Sequence, residues 1–260
     1  MLTNLSNDLK AKLSNRQLVF GSWVSFSHPS ITEIFAAQGF DFHAIDMEHT
    51  TISLDHAQRI IAASQYFSVP CLPRPMSHSN DYIKPLLDSG ANGIIAPLIH
   101  NAEDSHGIID SMKFPPLGKR SFGVNRAHGY GSTFKDYISE WNKSSVYISQ
   151  IESVAGLSNI ESILKNPDLD GVMIGPYDMS GSLGVPGQIS HQKMLEAEKT
   201  IIEACRSANK SCGTQISEFS PENIEIALNK GYTFIIASSD LFVLNSWAER
   251  AGQLMNSYRN

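Results

Sequence analysis

Gly93-Ile-Ile-Ala-Pro-Leu-Ile99 is an almost unbroken apolar run, and Gly171-Val-Met-Ile-Gly175 repeats the pattern further along the chain. A strand with one face in water alternates apolar and polar residues. A run that is apolar throughout belongs to a strand covered on both faces, as in a parallel sheet wrapped in helices. Outward from these two runs, strand-like segments recur near 19–25, 43–48, 69–74, 93–99, 145–152, 171–177, 211–216 and 232–238. Amphipathic stretches with helix-start signals separate them. Ser30 stands ahead of Ile31-Thr-Glu33, Ser53 ahead of the run to Ala63, and Ser220-Pro221-Glu222 puts proline at the first helical position. Gly90 and Gly231 stand where helices close. Eight strands alternating with helices predict a TIM (β/α)8 barrel. A doubly wound open sheet is the alternative, but no Gly-x-Gly-x-x-Gly turn follows the first strand.

The length of 260 residues suits one such barrel, so a single domain over 1–260 is expected. A net charge of −6 and a pI near 5.8 argue against nucleic acid or anionic membrane as the main partner. No apolar run reaches the length of a membrane span. The segment from Met1 to Leu13 reads as a short amphipathic helix without a signal-peptide core. Cys71, Cys205 and Cys212 form no Cys-x-x-Cys pair and read as reduced thiols, which points to a cytoplasmic protein. One spacing breaks the rhythm. The stretch from Lys113 to Gly131, between the fourth and fifth strands, reads as a functional lid, with packing against a neighbouring subunit as the alternative.

Catalytic residues of a TIM barrel come from the C-terminal ends of its strands. Polar residues fall there repeatedly: Asp46-Met-Glu48-His49 after the second strand, Arg74 after the third, Gln150-Ile-Glu152 after the fifth, and Tyr177-Asp178 after the sixth. Any one of them could be a cap or a loop anchor; four successive strand ends are harder to explain that way. Glu152 and Asp178 lie one βα unit apart, so they should end adjacent strands about 4.8 Å apart, a separation suited to one hard divalent cation. A pair of helix caps is the structural alternative. A zinc site would want three ligands, and the histidines show neither His-x-His nor His-x-x-x-His spacing. Arg74, between prolines, suits a fixed grip on a carboxylate or keto oxygen, or else a structural ion pair. His49 beside Asp46 and Glu48 could be a proton carrier whose tautomer a carboxylate sets. None of the twelve lysines falls inside or at the C-terminal end of a predicted strand, which argues against a Schiff-base mechanism.

Taken in order, Gly21-Ser-Trp23, Ile45-Asp-Met-Glu-His49, Arg74-Pro75, Asp88-Ser-Gly-Ala91, Phe114-Pro-Pro-Leu-Gly-Lys-Arg120, Gln150-Ile-Glu152 and Gly175-Pro-Tyr-Asp178 with Ser182-Leu-Gly184 make the chain resemble the HpcH/HpaI aldolase family. These are class II pyruvate aldolases, and the likeness runs from about Gly21 to Ala248. The resemblance implies a TIM barrel assembled as a homo-oligomer, commonly a hexamer, with the last helix exchanged between neighbours. It assigns a divalent cation (Mg²⁺, Mn²⁺ or Co²⁺) to Glu152 and Asp178, gives Arg74 and Gln150 to the 2-keto acid, and makes Asp46 and His49 the acid–base pair. It places Trp23, Gly175, Pro176, Tyr177 and Asp178 about the substrate and Asp88 at a subunit boundary near the site. Tyr177 departs from the small residue of some members, and the stretch from Asn125 to Gly131 differs from the familiar pattern, so the aldehyde partner stays open. The implied reaction is cleavage or formation of a 4-hydroxy-2-keto acid through the pyruvate enolate. The alternatives are a lyase or decarboxylase of the same superfamily acting on oxaloacetate-like or acyl-CoA substrates, and a silent binding barrel.

Overall fold

The computed structural model describes residues 2–259. Its strands are β1 (Val19–Val24), β2 (Phe42–Asp46), β3 (Cys71–Arg74), β4 (Gly93–Ala96), β5 (Val146–Ile151), β6 (Gly171–Ile174), β7 (Ser211–Ile216) and β8 (Phe234–Ser239). They form one parallel sheet in the order β3-β2-β1-β8-β7-β6-β5-β4. The outer strands of that order meet, because the Asn92 N–H donates to the Cys71 carbonyl at 2.8 Å. The sheet thereby curls into a TIM barrel, and each of the eight segments anticipated from sequence is a strand of it.

Helix α1 (Leu2–Ser14) precedes β1. Around the barrel follow α2 (Pro29–Ala36), α3 (Leu54–Tyr66), α4 (Asn80–Asp88), α5 (Ala102–Met112), α6 (Phe134–Ser144), the short α7 (Val154–Ser158) and α8 (Ile160–Leu164), α9 (Pro176–Ser182), α10 (Gln192–Ser207), α11 (Pro221–Lys230) and α12 (Asp240–Ser257). Ser53 and Ser220 cap α3 and α11 as their sequences require. Gly90 and Gly231 close α4 and α11 at φ of 102° and 104°, in the left-handed region that favours glycine. Ser30 is not a cap. Pro29 already occupies the first helical position of α2, so His28 is the cap and its Nδ1 accepts from the Ser30 N–H.

Alternate residues of each strand face inward, and they fill the barrel with Phe42, Ala44, Leu72, Ile95, Val146, Ile148, Met173, Phe234 and Ile236. A Cβ at Gly21 would overlap the Phe42 ring, and one at Gly213 the Phe234 ring. The two glycines make room for those rings, which meet edge-on at 6.5 Å. Leu9 and Leu13 of α1 plug the N-terminal end of the barrel. Lys10 ties that helix down through Asp170 at 2.7 Å and the Ser145 carbonyl at 3.0 Å.

Two further features bear on the sequence reading. The 113–131 stretch was expected to be a lid over the strand ends that carry chemistry. In the chain β4 first runs into α5, which returns to the opposite face, so the stretch leaves from the N-terminal end of the barrel and ends in a 3₁₀ turn (Arg126–Gly131) against the ends of α3 and α4. It is no lid over its own chain's catalytic face. At the other terminus, Asp240 anchors the start of α12 by accepting from the Ser25 and Phe26 N–H groups. Beyond it Leu241, Phe242, Val243, Leu244, Trp247, Leu254 and Met255 stand exposed on the single chain. All three cysteines are free and buried. Among the described residues no helix is long and apolar enough to cross a membrane.

Candidate active site

Because all eight strands run the same way, their C-terminal ends open on one mouth, and that is where Asp46, Glu48, Arg74, Gln150, Glu152 and Asp178 converge. Asp46 and Arg74 are register partners on β2 and β3. The Arg74 guanidinium, one-tenth exposed, reaches Asp46 Oδ1 from Nη2 at 2.9 Å and from Nε at 3.2 Å. It also donates from Nη1 to Gln150 Oε1 at 3.3 Å. Trp23 does not line the pocket. Its ring, 4% exposed, lies beneath the guanidinium with Cζ 4.5 Å from the ring centroid, so it supports Arg74 from below.

Glu152 is 3% exposed and continues the inward face of Gln150 two residues beyond it. Its Oε1 accepts from the Leu98 N–H at 2.7 Å, and its Oε2 accepts from Gln150 Nε2 at 2.5 Å. Leu98 sits at φ 51°, a left-handed conformation uncommon for leucine, and in it aims its N–H at the carboxylate. A Cβ at Gly175 would overlap Glu152 Oε2, so a residue other than glycine there would displace this carboxylate. Burial, with Glu48 and Asp178 nearby, pushes the Glu152 carboxyl up to about 7 despite the opposing Leu98 N–H and Arg74. Asp178 lies in the first turn of α9, where a helix favours negative charge.

The acid–base pair expected of Asp46 and His49 takes another form. Asp46 spends its Oδ1 on Arg74 and on the backbone N–H groups of Glu48 and His49. The imidazole instead lies beside Glu48, Nε2 to Oε2 at 3.6 Å, and its side chain is 62% exposed toward the pocket. Glu48 is absent from the residues that the sequence assigns to the chemistry; it lies two residues past the end of β2, in a bend that brings it beside Asp46. Its Oε2 is buried and accepts no hydrogen bond among the described residues, with Arg74 Nε 3.2 Å away but poorly aligned. Burial, then Asp46 and Asp178, push the Glu48 carboxyl upward against Arg74 and His49. Gln215 and Ser217 at the end of β7 also went unassigned. They close a cavity of about 280 Å³ with His49, Arg74, Gln150, Gly175 and Tyr177. Asp88 is not at this mouth within the chain: it ends α4 at the opposite face, paired with buried Arg120 at 2.7 Å.

The donor set fits a hard divalent cation. Glu152 and Asp178 supply carboxylate oxygens, and the charges there repel one another with one guanidinium to offset them. Among the described residues no group of three or more His, Cys, Asp or Glu side chains is placed to hold a metal ion, and a cation held by two carboxylates would take its other oxygens from water or substrate. No lysine lines the cavity.

Comparison with known proteins comes to the same fold. A sequence model of the HpcH/HpaI aldolase/citrate lyase family matches residues 19–246. The chain is 30% identical to the 2-keto-3-deoxy-L-rhamnonate aldolase of Escherichia coli (strain K12) over 259 residues, covering 98% of this chain and 96% of that protein. Among solved structures it is similar to an HpcH/HpaI aldolase/citrate lyase family protein from Burkholderia cenocepacia J2315, with TM-score 0.90 and 27% identity over 96% of this chain and 99% of that one. The HpcH/HpaI aldolase from Desulfitobacterium hafniense DCB-2 gives TM-score 0.87 and 26% identity over 95% and 96%.

The pressure on Glu152 has a consequence for stability. A carboxyl with a pKa of about 7 when folded and 4.5 when unfolded holds its proton more tightly in the folded state. Stability from this group is therefore full below pH 4.5 and declines as pH rises toward 7, by on the order of 3 kcal/mol at most. In metal-free protein, Glu152→Gln should melt several degrees above wild type at pH 8 and close to it at pH 4.5. Parallel melting curves across that range, followed by circular dichroism, would show that this carboxyl carries no such penalty.

Proposed function

The chain belongs to the HpcH/HpaI aldolase/citrate lyase family, and from that membership and the chemistry of its barrel mouth we propose that it is a divalent-metal-dependent aldolase of 4-hydroxy-2-keto acids. The observation that carries this reading is the convergence of Asp178 and Arg74 on one cavity at the C-terminal ends of the strands, with buried Glu152 close enough to feel both charges. A cation such as Mg²⁺, Mn²⁺ or Co²⁺, held by Glu152 and Asp178, would supply Lewis acidity toward the oxygens of the keto acid.

The chain's own groups do the rest. Arg74 and Gln150 orient the keto-acid end, and the fixed guanidinium stabilises negative charge where it develops. The backbone at Gly175 and Pro176 faces the carboxylate, and Tyr177 and Gln215 bound the acceptor side. For cleavage, His49 takes the proton of the C4 hydroxyl. The O–H electron pair becomes the new carbonyl of the aldehyde, and the C3–C4 pair passes to the pyruvate enolate. Condensation reverses these steps, with His49 returning the proton. Glu48 lies beside the imidazole, Oε2 3.6 Å from Nε2.

Retro-aldol cleavage of a panel of 4-hydroxy-2-keto acids, with pyruvate read by a coupled reductase, tests the proposal. Activity should vanish on chelation and return with Mg²⁺, Mn²⁺ or Co²⁺. Full turnover in chelated protein shown to be metal-free would remove the class II assignment.

His49→Ala distinguishes a proton carrier from a ligand. Its kcat for cleavage should fall by about 10²–10⁴-fold, the worth of a positioned acid–base, while Mn²⁺ titration by calorimetry gives an affinity near wild type. If affinity collapses together with activity, the imidazole is a ligand and the proton must travel another way.

The exposed apolar residues of α12 support assembly as a homo-oligomer, with this helix docked on a neighbour. Sedimentation velocity should find the wild-type chain as an oligomer of hexamer mass, and Leu244→Glu with Trp247→Glu should dissociate it. A monomeric wild type at micromolar concentration overturns the proposal.

A further inference from the structure

An unexplained polar feature lies at the other end of the barrel. A cavity of about 460 Å³ opens there between α1, the end of α3, the 3₁₀ turn and α6, lined by Thr3, Gln65, Ser68, Arg126, Thr133 and Tyr137. Arg126 is its one cation, and its head is held rigidly. Nη1 donates to Gln65 Oε1 at 2.7 Å and to the Ser89 carbonyl at 3.1 Å. Gln65 is itself fixed, its Nε2 donating to the Gly90 carbonyl and to Asn92 Oδ1, each at 2.7 Å. Nη1 is thereby saturated by neutral acceptors. The Nε–H and Nη2 edge makes no hydrogen bond among the described residues, and Arg126 makes no ion pair among them.

That edge stays open to the cavity and free to take a ligand. A half-buried guanidinium paired only with neutral groups keeps its charge available to an anion. Burial weighs against the charged form of Arg126, opposed only by Tyr130 and Cys71. The remaining edge offers two parallel N–H donors, the fork that matches a carboxylate. Around it the hydroxyls of Thr3, Ser68 and Thr133 likewise make no hydrogen bond among the described residues. The Thr133 hydroxyl is set against Gly129, which with Tyr130 forms consecutive left-handed residues at φ 56° and 52°.

We propose that this cavity is a binding site for a small hydroxylated carboxylate, gripped by the free edge of Arg126 and by the three hydroxyls. A monoanion balances the single cation. A phosphate dianion would call for a second positive charge, and no lysine, histidine or other arginine lines the cavity. The site lies at the opposite end of the barrel from the aldolase mouth and depends on no reading of it.

Calorimetric titration of the full-length protein with D-gluconate tests this, in an Arg74→Gln background that removes carboxylate binding at the mouth. One saturable site per chain is expected. Arg126→Gln added to that background should weaken it at least about tenfold, the loss of one charged, bidentate contact. Thr133→Val, which leaves the Arg126 scaffold intact, should weaken it by a smaller factor and serves if the arginine variant fails to fold. The proposal is overturned if no saturable binding occurs by ~50 mM, if neither substitution changes the isotherm, or if inorganic phosphate binds where gluconate does not.

Discussion

Arg74 is the one positive charge set among the acids of the barrel mouth, and much of the local structure exists to hold it there. Burying a guanidinium is expensive unless its donors are used and its charge is met. Asp46 meets the charge through two of the nitrogens, Gln150 takes the third, and the Trp23 face lies beneath the cation. Those contacts span β1, β2, β3 and β5, so a single side chain ties half the barrel together at its open end. The compensation is incomplete: Glu48, Glu152 and Asp178 also face this region, and among the described residues nothing donates a hydrogen bond to Glu48 Oε2. Four carboxylates against one guanidinium leave a surplus of negative charge that a divalent cation would neutralise.

Much of this was legible in the sequence because a parallel barrel obeys strict geometry. Period-two alternation carries Gln150 inward and Glu152 after it, and the one-unit spacing to Asp178 brings the second carboxylate to the neighbouring strand. Helix starts at Ser53 and Ser220 follow from side-chain oxygens that satisfy otherwise unpaired N–H groups. The failures have equally local causes. The lid expectation for 113–131 counted connection length without asking at which end the connection lies. Asn101 followed by Glu103 and Asp104 is a helix-start signature, and the helix it begins carries the chain back to the N-terminal face before the long stretch starts. Ser30 is a plausible cap that loses to Pro29, whose fixed φ begins the helix two residues earlier.

The acid–base pairing departs from the sequence expectation for a different reason. Sequence places Asp46, Glu48 and His49 together but cannot apportion two carboxylates among a guanidinium, an imidazole and two backbone donors. Arg74 has the stronger claim on Asp46, being its register partner on the adjacent strand. Once that carboxylate is committed, Glu48 is the acid that remains beside the ring. Competition among partners of this kind is settled by three-dimensional proximity, which no spacing rule encodes.

The mouth and the far end of the barrel are solved by opposite physical means. At the N-terminal end, charges are paired and capped: Lys10 with Asp170, Lys113 with Asp168, Arg120 with Asp88 among aromatic rings. These groups lock α1 and the loops against the closed end of the core, and Arg126 is the exception among them. At the C-terminal end like charges crowd together, a leucine is held in a left-handed conformation to serve a carboxylate, and a glycine is needed to leave that carboxylate room. Each of those features costs folding free energy in the ligand-free chain. That cost is also the source of affinity, since a cation or polar substrate that binds only the folded state relieves the repulsion and is bound more tightly for doing so. A barrel whose closed end is over-determined can tolerate an open end that is not, and this asymmetry lets one fold hold the reactive groups in an arrangement that the ligand-free chain would not choose for stability alone.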